Sequence, residues 1–322
     1  MEIKTWIEVA AIGGAALSMG LGAIGAAVGE GYTAACASEA ISRSPDRSGD
    51  IFKNMLMGEA IAETAAIFAL LIAMMLLFTQ IGSETTITIF VLFSAGLCMG
   101  FGAIGSGIGS GLPAGACCIG ISRQPMAKDK ITTNMLIGSS IAQTPAILAL
   151  ATSLILLFSN FEGRPVSPTW AALVGAGIAA GVGAIGSAIG EGLVAQAACE
   201  GIARTPQTSS RVTNIMFLGM AVSETTAIYG LLIAMILIFK TFPESTALAP
   251  AMALLGAGLC MGIGAVGPGI GEGLTGSKAI AWVARNESES AILARTMLVG
   301  QAVSESTGIY ALVIAFVMIF VL

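Results

Sequence analysis

GMAVSETTAIYGLLIAMILIF, residues 219–239, is apolar over the length of a bilayer-crossing helix yet holds a carboxylate, Glu224. About 20 apolar residues suffice for a helix to cross, and an ionisable group at membrane depth is costly enough to mark a functional site by default. The same pattern recurs as GEAIAETAAIFALLIA from Gly58, GSSIAQTPAILALATS from Gly138 and GQAVSESTGIYALVIA from Gly300. Each copy follows a glycine-rich stretch: GLGAIGAAVGEG from Gly20, FGAIGSGIGSG from Phe101, VGAIGSAIGEG from Val182 and IGAVGPGIGEG from Ile263. Between the two stretches stands an arginine, Arg43, Arg123, Arg204 or Arg285, at spacings of 80, 81 and 81 residues. Such self-similarity defines a tandem array. It divides the chain into four units: 1–80, 81–161, 162–242 and 243–322.

Composition agrees with membrane placement. The 322 residues are 56% hydrophobic and 10% charged, against about 25% charged in soluble domains. There is no histidine, which removes histidine-based catalysis and the commonest metal ligand. The six cysteines form no CxxC pair and read as small packing residues. The net charge of −5 is modest and by itself says little about partners, and nothing in the sequence resembles a nucleic-acid patch. The apolar run near Ile7 is too long for a signal peptide and recurs within the chain, so it reads as a mature helix.

Each unit therefore reads as a helical hairpin, giving an all-α membrane protein with eight transmembrane helices. Proline and charge break the helix in the polar connections SRSPDRSGD, SRQPMAKDK and ARTPQTSSR, with ARNESESA as the fourth. Ten of the 14 Lys and Arg lie in or just beyond these loops. The positive-inside rule puts the loops in the cytoplasm and both termini on the opposite side. Glycines on the first helices, such as Gly20, Gly22, Gly25, Gly29 and Gly31, predict a closely packed inner layer. A phosphate-cradling loop would need a preceding strand and a soluble domain, and neither is present.

Glu63, Glu224 and Glu305 occupy equivalent second-helix positions, and Glu30, Glu191 and Glu272 equivalent first-helix positions. Both sets lie some 13 residues from the loop, roughly 20 Å deep at 1.5 Å per residue, so each pair can meet at one level. Thr64, Thr225 and Ser306 follow the second-helix glutamates, and Tyr229 and Tyr310 lie five residues on. Carboxylates and hydroxyls suit sodium or a hydrogen-bonded proton, while no base is present to activate a nucleophile. Two close carboxylates do not readily ionise together, so sodium with one proton, or two protons, would neutralise a pair. Unit two has Ser110 and Gln143 in place of both acids and is expected to be inert.

These residues resemble the c-subunit, or proteolipid, of F-type and V-type rotary ATPases over essentially the whole chain. The resemblance rests on the glycine-rich first helix, the mid-membrane glutamate and the Arg-x-Pro loop of Arg43–Pro45, Arg123–Pro125 and Arg204–Pro206. In unit four Arg285 is followed by Asn286 and Glu287 instead. The resemblance implies a non-catalytic rotor ring without a cofactor. Second helices lie outside and turn against a stator a-type subunit, and the Arg loops meet the central stalk. It implies ion ligands from the glutamate, the next hydroxyl and the carbonyl two residues before it: Ile61, Val222 and Val303. Glu30, Glu191 and Glu272 replace the glutamine of sodium-binding members, leaving sodium and proton both open. Phe68 stands where units three and four carry tyrosine, so the first site is expected to differ from theirs.

In the family the hydroxyl and carbonyl come from the neighbouring hairpin, so Thr144 and Ile141 are candidates to complete a site using Glu63 or Glu224. Family ring sizes with four hairpins per chain favour three chains and twelve hairpins. Three carriers per four hairpins lower the ions moved per turn by a quarter and favour pumping. A secondary transporter also uses repeats and midplane sites, but equal-depth sites in short two-helix repeats fit a rotor better.

Overall fold

The computed structural model describes residues 2–79 and 84–321. The boundary expected between residues 80 and 81 lies outside them. Among the described residues, eight helical spans are long and apolar enough to cross a membrane. The first helices are α1 (Ile3–Arg43), α3 (Thr86–Arg123), α6 (Val166–Arg204) and α9 (Leu248–Val283). Two second helices are continuous, α2 (Ser48–Phe78) and α10 (Ser290–Phe320). The other two are divided at mid-membrane into α4 (Lys128–Ile141) with α5 (Thr144–Phe158), and α7 (Ser209–Ser223) with α8 (Thr225–Phe239).

The turns follow from local chemistry. A proline disfavours helical geometry in the residue before it, and Ser44, Gln124 and Thr205 leave the helix with φ near −140° and ψ of 73–83°. Asn286 adopts the same geometry, φ −141° and ψ 76°, with no proline after it. Neighbouring loops lie side by side: Ser44 Oγ donates to the Ser122 carbonyl at 3.0 Å and Lys130 Nζ to the Pro206 carbonyl at 3.1 Å. The Lys128–Asp50 ion pair at 3.1 Å ties hairpin two to hairpin one.

The first helices pack in chain order, α1 on α3, α3 on α6 and α6 on α9, and the second helices lie against them. Glycine permits this approach. A Cβ on Gly192 would run into the Gly109 backbone, and one on Gly109 into the Ala188 carbonyl. Each second helix before the last fills the groove between its own first helix and the next: α2 between α1 and α3, α4–α5 between α3 and α6, and α7–α8 between α6 and α9. The last, α10, packs mainly on α9 and remains open on its far side, with Val303 67% and Tyr310 66% exposed. The array is thus an arc with two unlike ends.

Candidate ion site

The divided helices place their breaks at the level of the expected carriers. In hairpin two, Pro145 has no N–H for the Ile141 carbonyl four residues back, and Gln143 N turns to the Ser140 carbonyl at 3.2 Å. In hairpin three the break falls on Glu224 itself, and the N–H of Ala227 reaches back three residues to its carbonyl at 3.1 Å. Thr225 Oγ1 bonds the Val222 carbonyl at 2.8 Å, and Ser306 Oγ the Val303 carbonyl at 2.7 Å. In hairpins three and four the expected hydroxyl therefore adjoins the expected carbonyl. Thr64 Oγ1 instead bonds the Ala60 carbonyl at 3.2 Å.

Within each of hairpins one, three and four the two carboxylates are close enough to feel one another's charge. Glu30 lies within Coulombic reach of Glu63, Glu191 of Glu224 and Glu272 of Glu305. Glu191 and Glu272 are both 0% exposed. Ser187 Oγ donates to Glu191 Oε1 at 3.2 Å, while Glu191 Oε2 and both carboxyl oxygens of Glu272 have no protein partner. Buried polar atoms are nearly always hydrogen-bonded, and among the described residues these three oxygens have no such partner. Glu63, at the open end of the arc, is exposed, and Glu30 is partly buried.

Hairpin two carries Gln143 at the position of the second-helix glutamates. Gln143 is 5% exposed. Its Nε2 donates to the Ile61 carbonyl at 3.0 Å, the Ser110 hydroxyl at 2.8 Å and the Ser106 carbonyl at 3.3 Å. An amide donor thus sits among three oxygens, one of them from the preceding hairpin. The same direction recurs between hairpins three and four, where the Tyr229 hydroxyl donates to Glu305 Oε1 of the following hairpin in a short hydrogen bond. Tyr229 therefore bonds the glutamate of the following hairpin. Glu59 and Gln301, one turn before Glu63 and Glu305, also lie at this level and escape a reading of the sequence. Their one signal is the i, i+4 spacing to the glutamates.

The chain is an array of two-helix membrane hairpins, with polar contacts crossing at mid-depth between hairpins one and two and between hairpins three and four. The family profile of the ATP synthase C-subunit matches residues 13–76, 93–156, 174–237 and 255–318. The chain is 30% identical over 224 residues to the K-subunit of the A-type ATP synthase of Methanocaldococcus jannaschii, covering 70% of this chain and 93% of that protein. It is 54% identical over 69 residues to the ATP synthase c-subunit of Petrotoga mobilis, covering 21% of this chain and 72% of that one. With the c-subunit of Thermotoga maritima the identity is 54% over 67 residues, 21% and 79% of the two chains. The chain belongs to the ATP synthase c-subunit family, the membrane rotor components of rotary ATP synthases.

Proposed function

We propose that this chain carries sodium ions or protons on Glu63, Glu224 and Glu305, each paired with a first-helix glutamate, as its ring turns against a stator. The observation carrying this reading is the Gln143 amide, a donor among oxygens from two adjacent hairpins. The equivalent positions elsewhere hold two carboxylates, so the charge of the shell rises where the built-in donor is missing. A bare carboxylate facing lipid costs about 2.5–3.5 kcal/mol on insertion scales. Cargo therefore neutralises each site before it enters the bilayer, and a change of environment at the stator releases it. Hairpin two carries nothing.

The four units 1–80, 81–161, 162–242 and 243–322 each supply one wedge of the ring, three chains making twelve hairpins. The Arg loops lie in the cytoplasm against the central stalk. Following the direction of the Gln143 and Tyr229 bonds, each site takes its second half from the preceding hairpin. Val222, Thr225 and Tyr229 then serve Glu305, and Ile141 and Thr144 serve Glu224. The open face of α10, with Val303, Ser306 and Tyr310, serves Glu63 of a second copy. Leu148 stands at the tyrosine position facing Glu224. The site without a tyrosine thereby moves from Glu63 to Glu224, and Phe68 faces the blank of hairpin two.

Carbodiimide labelling of the intact ring, read by peptide mass, tests the assignment. Glu63, Glu224 and Glu305 are expected to react while protonated, and added sodium at constant pH slows the reaction if sodium is the cargo. Labelling confined to exposed acids such as Glu84 overturns the reading. In the same assay Thr144→Val is expected to alter labelling or protection at Glu224 and leave Glu305 unchanged. Identical behaviour of Glu224 in the variant would remove Thr144 from the site.

A further inference from the structure

The residue one helical turn before each second-helix glutamate differs in every hairpin: Glu59, Ser139, Met220 and Gln301. In hairpin four it is built into the wall of the site. Gln301 is 0% exposed, and its Nε2 donates to the Gly219 carbonyl on α7 at 3.0 Å and to the Glu272 backbone carbonyl on α9 at 3.1 Å. These bonds clamp the side chain between two hairpins. Its Oε1 is buried with no protein partner, as are both carboxyl oxygens of Glu272. Glu305 lies one turn further along the same face of α10, within Coulombic reach of Glu272 on α9, and accepts from the Tyr229 hydroxyl on α8.

We propose that Gln301 Oε1 is a fixed ligand oxygen for the cation carried at the Glu305 site, making the three carriers chemically unequal. The inference rests on the ion-carrying reading above. An amide held by its nitrogen at two backbone carbonyls presents its oxygen without needing to be ordered on binding, which favours a bound cation. A sodium ion, or a proton on either carboxyl, meets the same acceptor. At the Glu224 site Met220 offers only a thioether, a poor partner for a hard cation. At the Glu63 site Glu59 brings a third carboxylate within Coulombic reach of Glu30. Along one chain the residue at this position is thus an acid, a thioether and an amide at the three working sites.

The test uses the intact ring and site-resolved carbodiimide labelling at one fixed pH over a range of sodium concentrations. Gln301→Met is expected to raise the sodium concentration that half-protects Glu305 roughly tenfold, the worth of one good polar contact. Glu63 and Glu224 should keep their native values. Met220→Gln, which leaves hairpin four intact, is expected to lower the concentration needed at Glu224. Where sodium protects no glutamate, the labelling rate itself is compared, and Gln301→Met must change the rate at Glu305 alone. Unchanged behaviour at Glu305 in Gln301→Met and at Glu224 in Met220→Gln overturns the ligand role while leaving the carriers assigned. So does a uniform change at all three glutamates, the mark of a loosened ring. Absence of labelling at all three overturns this inference together with the reading beneath it.

Discussion

Replacing Glu63, Glu224 and Glu305 together by glutamine is expected to leave an assembled ring that moves no ions. Assembly is expected because hairpin two already holds glutamine at this depth, with its amide bonded to three oxygens across the hairpin boundary. The close inner packing of Gly109 on Gly192 lies on other helices and is untouched. Transport is lost because an amide cannot alternate between a charged and a neutralised form. Ion uptake into proteoliposomes driven by ATP should fall to the level of protein-free vesicles, while the ring keeps its native mass. Residual uptake above that background would mean that other groups carry the ion.

The converse substitution has the next largest effect. Ser110→Glu with Gln143→Glu removes the built-in donor and supplies both acids, so each chain is expected to carry four ions instead of three. Ions moved per ATP should rise by a third, and the steepest gradient the complex can pump against should fall in proportion. A fourth carbodiimide-reactive glutamate at position 143 should accompany the change. The single variant Gln143→Glu, facing Ser110 without a second acid, separates the two contributions. A double variant with the native ion-to-ATP ratio would show that hairpin two is blank for a reason other than its missing acids.

The hairpins were legible in the sequence because a period of 80 or 81 residues and apolar runs of bilayer length are properties of the chain itself. The depth of the carboxylates was legible too, since helix rise converts residue number into distance. What lay beyond reach concerned neighbours. Tyr229 lies five residues after Glu224 but bonds Glu305, 76 residues further on, and no spacing rule reveals which side of a helix meets the next hairpin. The break at Glu224 was equally hidden. Pro145 announces the one in hairpin two, whereas Thr225 and Thr226 give no such signal. Gln301 reads as one more polar residue near a glutamate until its two backbone partners place it in the wall.

The amide of Gln143 also bears on how such a rotor turns. On a ring of these chains, successive carriers stand one hairpin apart from Glu224 to Glu305 and on to Glu63 of the next copy. From Glu63 to Glu224 of the same chain the distance is two. With the proposed carriers, a stator would therefore meet a rhythm of two short strides and one long one. Across the long stride no fresh carrier would arrive, so when ions drive the ring the torque would have to come from twist stored in the shaft during the preceding strides. In that direction a compliant shaft would carry the rotor over the blank hairpin where a stiff one would stall, whereas in pumping the driven shaft itself pushes the ring across.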